Sequence, residues 1–427
     1  MIFTYAPAGL GHLRVTDALF DGLPKDTDSE IIGSYDKSIE NIHRFTSIHP
    51  IVRKIYEWGQ DGPMSFIFTR IYKRALKSNT KTLYKQIVDS INKRTVIPKK
   101  VLVVATHFAI AHQLTAIKEK IEKEKNIKII LVVQVTDDYA HPMWYVEGAD
   151  LIVVPSHKTK ADFAEIAKKL MLPEVNFAVA PYPLSPFLSL PLSTTELTER
   201  LDSTAANRDA YINVSIPVSG AAANLVFYKE LIEALGRTSS RFIFHVVSRV
   251  APYTLMFLDS ISEKGFVKVH SSGNDRELVD SYDKEFEKTV MSLEITKPSE
   301  QAFKALVGAE SRGGVIMFFS EAFGPQEKDN LAFLERHFLI PNMALNEELW
   351  NEPEITQELR SQFCGWRGIR LPKSSQEAAN FIWWLLENGI FPQMLLCKPA
   401  QGKTDPNSDE LGSDGVTKFW QIASGLL

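Results

Sequence analysis

The sequence predicts an α/β protein made of two Rossmann-like, doubly wound domains. Three observations carry that expectation. Apolar, β-rich runs alternate with amphipathic helical patterns. A strand–turn–helix opening occurs twice, once at each half's start. Between the two openings lies a proline-rich, polar stretch of the kind that joins domains. A chain of 427 residues is long enough for two or three ordinary domains, each with a core of its own.

The first opening is Ile2-Phe3-Thr4-Tyr5, running into Ala8-Gly9-Leu10-Gly11-His12 and then a helix. Glycines between a first strand and a first helix let a ligand approach the backbone, and they leave amide N–H groups exposed at the helix start. A histidine ending that turn adds a group able to take a proton near neutral pH. The plainer reading is a glycine turn with a bystander histidine. Val101–Ala105, Ile129–Val135 and Leu151–Val154 then read as buried parallel strands, with helices over Ile110–Lys125 and Lys158–Leu170 between them. Pro181, Pro183, Pro186 and Pro191 close this half, and the polar run Ser193–Arg208 follows.

The second opening is Tyr211–Ser215, leading through Ser219-Gly220-Ala221-Ala222-Ala223 into a helix. Phe242–Val247, Phe266–Val269 and Gly314–Phe319 continue the strands. The expected division is 1–190 for the first domain, 191–209 for the linker and 210–397 for the second domain. A flexible segment over 398–415 and a terminal helix over 416–427 complete it. Two such halves put a cleft between them, faced by strand ends and helix N-termini.

Composition narrows the function classes. Hydrophobic content of 44% and charged content of 23% are those of a soluble globular chain. Cys364 and Cys397 are too few for a disulfide framework or a cysteine zinc site, and two cysteines fit a reducing compartment. No charged and apolar leader precedes the first strand, and no run approaches the ~18 apolar residues that span a bilayer. The expected location is cytoplasmic, with a peripheral place on the inner membrane face as an extension.

The net charge of −4 conceals an asymmetry: residues 1–190 hold 25 basic and 20 acidic side chains, and the remainder 23 and 32. Residues 44–100 alone carry 13 basic and 3 acidic. Within that run Arg70, Lys73, Arg74 and Lys77 recur at helical spacing beside Phe66, Ile67 and Ile71, a pattern suited to an anionic membrane surface. A solvated helix packed on its domain is the alternative. Nucleic acid is not the expected partner, since no recognised binding module accompanies the charge.

Three further constellations lie at strand ends. Thr136-Asp137-Asp138-Tyr139-Ala140-His141-Pro142-Met143-Trp144 ends a strand, where ligands bind in open α/β sheets. Thr296-Lys297-Pro298-Ser299-Glu300 and Phe323-Gly324-Pro325-Gln326-Glu327-Lys328-Asp329-Asn330 end two strands of the second half. Their amides and carboxylates suit sugar hydroxyls, although acidic residues favour helix starts in any case. Asp26-Thr27-Asp28, the one Asp-x-Asp, falls in a polar loop and reads as a solvated turn. No metal site is expected from the sequence.

In order and approximate spacing over about residues 1–345, these four places resemble the GT-B glycosyltransferases. The resemblance is to the group containing monogalactosyldiacylglycerol synthases and diacylglycerol glucosyltransferases, and more distantly to the lipid-II N-acetylglucosaminyltransferase. Gly9, Gly11 and His12 match the family's glycine turn ending in His. Thr136, Asp137, His141, Pro142 and Trp144 match its Thr-Asp…His-Pro-x-Trp block. Gly324, Pro325, Gln326, Glu327 and Asn330 match its Pro-Gly-Gln-Glu-x-x-Asn block. Two turns depart from it: Ser219-Gly220-Ala221 holds a single glycine where the family is glycine-rich, and Lys297-Pro298-Ser299-Glu300 is a shortened Lys-x-Gly-Pro-Gly-Thr turn.

The resemblance implies a GT-B fold and an inverting, metal-independent transfer of a hexose or N-acetylhexosamine from a nucleotide sugar, with a UDP-sugar expected. The acceptor would be a diacylglycerol-like membrane lipid. His12 would be the general base, with Asp137, His141 and Trp144 on the acceptor side. Ser219, Gly220, Lys297 and Ser299 would meet the diphosphate, Glu300 the ribose, and Gln326, Glu327 and Asn330 the sugar and its turn. No cofactor is implied, the nucleotide sugar being a substrate. A nucleotide-sugar epimerase of the same fold, or a relative that binds sugar nucleotide or lipid without turnover, are the alternatives.

Overall fold

The structure is a computed structural model that describes residues 1–5, 10–25, 27–33, 65–218, 222, 224–308, 310–319, 324–396 and 408–427, with the side chains of 65–69 and 408 left aside. Gly9, Ser219, Gly220, Asp26, Cys397 and the 398–407 part of the expected flexible segment lie outside the described residues.

The chain forms two compact units, one of Met1–Ser185 with Asp414–Leu427 and one of Pro186–Ser413. Unit 1 holds a parallel sheet of β1 (Ile2–Tyr5), β2 (Glu30–Gly33), β3 (Lys100–Ala105), β4 (Lys128–Gln134), β5 (Leu151–Val154) and β6 (Phe177–Val179), in the order β2-β1-β3-β4-β5-β6. Unit 2 holds β7 (Ile212–Pro217), β8 (Phe242–Arg249), β9 (Val267–Ser272), β10 (Leu293–Thr296), β11 (Val315–Phe319) and β12 (Gly368–Leu371), ordered β12-β11-β10-β7-β8-β9. Within unit 2 this is the 3-2-1-4-5-6 order of a dinucleotide-type half.

The middle residues of β3 and β4 are apolar because helices cover both faces of the sheet. Val103, Val104 and Ala105 of β3 and Leu131, Val132 and Val133 of β4 have no exposed surface. Helix starts are set by side chains that accept the orphan amides of the first turn. Ser156 takes the Thr159 N–H before the His157–Leu170 helix, and Asn274 takes those of Arg276 and Glu277 before the Asp275–Lys288 helix.

The expected linker is a correction. Residues 194–204 form a helix opened by a Ser193–Glu196 capping box. Arg200, fully buried on that helix, donates to the carbonyls of Met291, Ser311, Arg312 and Gly313 at 2.6–3.0 Å. Five parallel donors in a planar fork satisfy several carbonyls at once, so one arginine fixes the helix to unit 2.

The terminal helix, Gly415–Ser424, packs into unit 1: Trp420 Nε1 donates to the Leu19 carbonyl at 2.9 Å and its ring meets Phe3 edge-on. Gly415 is required there, since a Cβ would lie 2.3 Å from the Pro181 oxygen.

Candidate functional site

In a doubly wound sheet the ligand crevice opens where strand order reverses, outside the carboxyl ends of the strands. In unit 1 that point lies between β1 and β3. The Leu10–Asp21 helix follows β1 and carries Gly11 and His12 in its first turn. The Phe108–Lys125 helix follows β3, and Thr106-His107 forms the junction. Two threonines bind the two starts together: the hydroxyls of Thr16 and Thr106 lie 2.8 and 3.1 Å from the His12 carbonyl and 2.7 Å from each other, so that one donates to the carbonyl and the other to its neighbour.

His12 therefore stands at the reversal point, half-buried, with Nδ1 3.3 Å from the Thr136 hydroxyl at the end of β4. The His107 ring lies 4.6 Å away edge-on, and the Trp144 ring 6.0 Å away. His107 stacks on Phe108, which meets Trp144 edge-on. His107 belongs to this constellation although its short Thr-His-Phe context matches no motif. The available signal was its position, directly after the apolar run of β3 and before a helix.

Two of these imidazoles are also helix caps. His107 Nδ1 accepts the Ala109 N–H at 3.1 Å, and His141 Nδ1 accepts the Met143 N–H at 3.2 Å at the start of the 3₁₀ turn Pro142–Trp144. A nitrogen that accepts carries no proton, so each neutral ring holds its proton on Nε2 and presents a donor there. Burial, aided by the Lys73 ammonium, pushes His141 down to about 4, which keeps it neutral. Asp137 is half-buried beside Thr136. Its neighbour Asp138 is fully buried and accepts from the Thr159 hydroxyl at 2.7 Å and from Ser156, a structural role.

In unit 2 the reversal lies between β7 and β10. Ser219 and Gly220, which follow β7 in the sequence, lie outside the described residues. The turn after β10 is Lys297-Pro298-Ser299, followed by the 3₁₀ helix Glu300–Leu306. Lys297 Nζ donates to Glu327 Oε1 at 2.7 Å, and Asn330 Nδ2 to the Pro298 carbonyl at 3.4 Å. The turn after β10 is thus tied to the Pro325–Arg336 helix that follows β11. Lys297 and Glu327, assigned by resemblance to phosphate and sugar, hold each other here. Gln326 is exposed, Glu300 and Ser299 border the turn, and Asn330 is fully buried.

Of the four proposed membrane contacts, Arg70 and Arg74 are exposed on the Ser65–Ser78 helix and Lys77 is half-buried. Lys73 is engaged inside unit 1: its ammonium donates to the Tyr145 carbonyl at 2.9 Å, and burial lowers it to about 8 against the opposing pull of Glu147. Among the described residues no helix is long and apolar enough to cross a membrane. Asp28 of the Asp-x-Asp forms an ion pair with Arg94.

No protein-family model matches this sequence, and neither does the sequence of any curated protein. Solved structures do resemble it along its whole length. The UDP-GlcNAc 2-epimerase from Neisseria meningitidis, bound to UDP-GlcNAc, aligns over 100% of this chain and 98% of its own, with a TM-score of 0.53 and 9% identity. A putative UDP-N-acetylglucosamine 2-epimerase from Listeria monocytogenes aligns over 100% and 96%, at 0.49 and 9%. The Acinetobacter baumannii MurG aligns over 99% of each chain, at 0.44 and 8%. The fold is GT-B. At such identities the likeness is one of fold alone, and the GT-B fold hosts more than one reaction.

Proposed function

We propose that this chain is a nucleotide-sugar enzyme in which His12 moves the proton, with epimerisation of the sugar as its leading reaction. The observation that carries the proposal is the placement of His12 at the β1/β3 reversal, oriented by the Thr136 hydroxyl. When Nδ1–H donates to Thr136, Nε2 holds the lone pair and is the basic atom. A UDP-sugar would sit on unit 2 at the β7/β10 reversal, against Ser299 and Glu300, with Gln326 at the sugar and no further cofactor. Binding would have to open the Lys297–Glu327 pair or use it intact as a floor.

Epimerisation at the C–H centre beside the anomeric carbon breaks that C–H bond as its electron pair expels the nucleoside diphosphate, and re-forms both bonds with the proton returned on the other face, so it needs no acceptor. Support for this reading is the full-length likeness to the meningococcal epimerase, whose ligand is UDP-GlcNAc. Glycosyl transfer to a hydroxyl is the second reading, favoured by the Phe108–Trp144 aromatic wall beside His12. The lipid form of that acceptor draws less support, because Lys73 is engaged within unit 1.

The experiment is incubation of the full chain with UDP-GlcNAc in deuterated water, followed by NMR. An epimer carrying deuterium at the inverted carbon, with no acceptor present, is the expected result. Product that forms only with added lipid extract selects the transferase reading. Binding without any turnover selects the inactive relative. Failure to bind UDP or any UDP-sugar overturns the whole proposal.

A further inference from the structure

Away from the reversal point of unit 2, three side chains meet over the β8–β9 edge of the sheet. We propose that His245, His270 and Glu285 form a binding site for a divalent cation of the zinc class. His245 Nδ1 lies 2.7 Å from Glu285 Oε1, and His270 Nε2 lies 3.3 Å from Glu285 Oε2. The three ligand atoms all lie within 4.8 Å of one another. An ion held tetrahedrally at ~2.0–2.1 Å keeps its ligands roughly 3.3 Å apart, so shifts of an ångström or so complete the geometry. Two imidazoles and a carboxylate are a donor set for zinc and its neighbours rather than for calcium or magnesium.

The backbone explains why they meet. His245 pairs with Lys268 and Val247 with His270, so the two histidines are diagonal neighbours on one face, with rings 6.3 Å apart and 9° from parallel. Glu285 comes from the Asp275–Lys288 helix that packs over these strands.

Asn213 of β7 extends the diagonal and supplies the outer support a metal-binding imidazole needs. Its Oδ1 lies 2.9 Å from His245 Nε2, while its Nδ2 donates to the Val290 carbonyl at 3.4 Å. That arrangement makes Nε2 the protonated nitrogen. The Nδ1 lone pair then faces a carboxylate oxygen at 2.7 Å, and only a cation relieves two facing lone pairs. A proton would serve, but a metal ion also engages His270, whose buried Nε2 has no hydrogen-bond partner among the described residues and faces Glu285 Oε2 at 3.3 Å. Thr289 donates to Glu285 Oε1 at 3.0 Å and holds the carboxylate in place. His245 is fully buried, but the His270 side chain is 28% exposed, which leaves a path of entry and a position for water. Bound metal would tie the edge strand and its covering helix to the sheet. The inference does not depend on the nucleotide-sugar proposal.

The test is titration of the metal-stripped full chain with Co²⁺, read by its visible d–d absorption, and with Zn²⁺, read by the thermal midpoint. About one equivalent of tetrahedral cobalt is expected, with a higher midpoint in saturating zinc. His270→Ala and Glu285→Gln should abolish both, and Asn213→Ala should weaken binding roughly 10–100-fold. Both lead variants change partly exposed groups, so they keep the test independent of folding at His245. His12→Ala should bind as the wild type does. A missing cobalt spectrum overturns the proposal. So does a spectrum that survives His270→Ala and Glu285→Gln, or one that His12→Ala removes.

Discussion

Glu294 is buried on β10, a central strand of unit 2, and three contacts answer its charge. Lys304 Nζ lies 2.8 and 2.9 Å from its two oxygens, and the Tyr282 hydroxyl donates to it at 2.6 Å while also touching the lysine. Taking one partner away leaves an uncompensated buried charge. Lys304→Met should therefore cost about 3–5 kcal/mol in urea unfolding, and the double change with Glu294→Leu should recover most of it. A single change costing under about 1 kcal/mol would mean that water reaches the carboxylate.

His112 makes the complementary case of a base kept neutral. It is fully buried, Nε2–H donates to the Met143 carbonyl at 2.9 Å, and burial, then the Lys73 charge, lowers its pKa to about 3. The unfolded imidazole takes up a proton near 6.5 and the folded one does not until about 3. Between those values the unfolded state holds more protons, so stability falls as pH falls, by up to about 1.4 kcal/mol per pH unit for this group. His112→Asn should flatten the stability profile between pH 6.5 and 4 by roughly one proton; an unchanged slope would assign the acid sensitivity elsewhere.

Elements show where sequence patterns were sufficient and where they were not. The strands β3, β4, β5 and β11 were legible because buried parallel strands are written as apolar runs, and β7, β8 and β9 as β-rich runs interrupted by polar residues. β2, β6 and β12 were not, since none holds more than three apolar residues in a row. The 194–204 helix was misread because its sequence is polar and threonine-rich, and no composition shows that Arg200 would turn inward. Arg200→Leu should free that helix and leave four buried carbonyls without a donor, lowering stability by more than about 3 kcal/mol. Hydrogen exchange confined to 194–204 with unchanged global stability would show the pin to be local. The His245–His270–Glu285 group was invisible for another reason: two strands and a helix bring it together, and no spacing records that.

For the whole molecule, two parallel sheets with their reversal points between β1 and β3 and between β7 and β10 give the architecture its functional logic. His12 in the first turn of the helix after β1, the Thr136 block and the Lys297 and Gln326 junctions stand out in the sequence because each is a polar interruption after an apolar run. Their partners were not: Thr106 and His107 lie about 95 residues from His12, and Lys297 finds Glu327 only through the fold. The central claim is that His12 moves the proton. It is tested most directly by comparing wild type with His12→Gln for UDP affinity and for UDP-GlcNAc turnover in deuterated water. The account predicts UDP affinity within about twofold and turnover reduced roughly 10²–10⁴-fold; turnover equal to wild type in His12→Gln would contradict it.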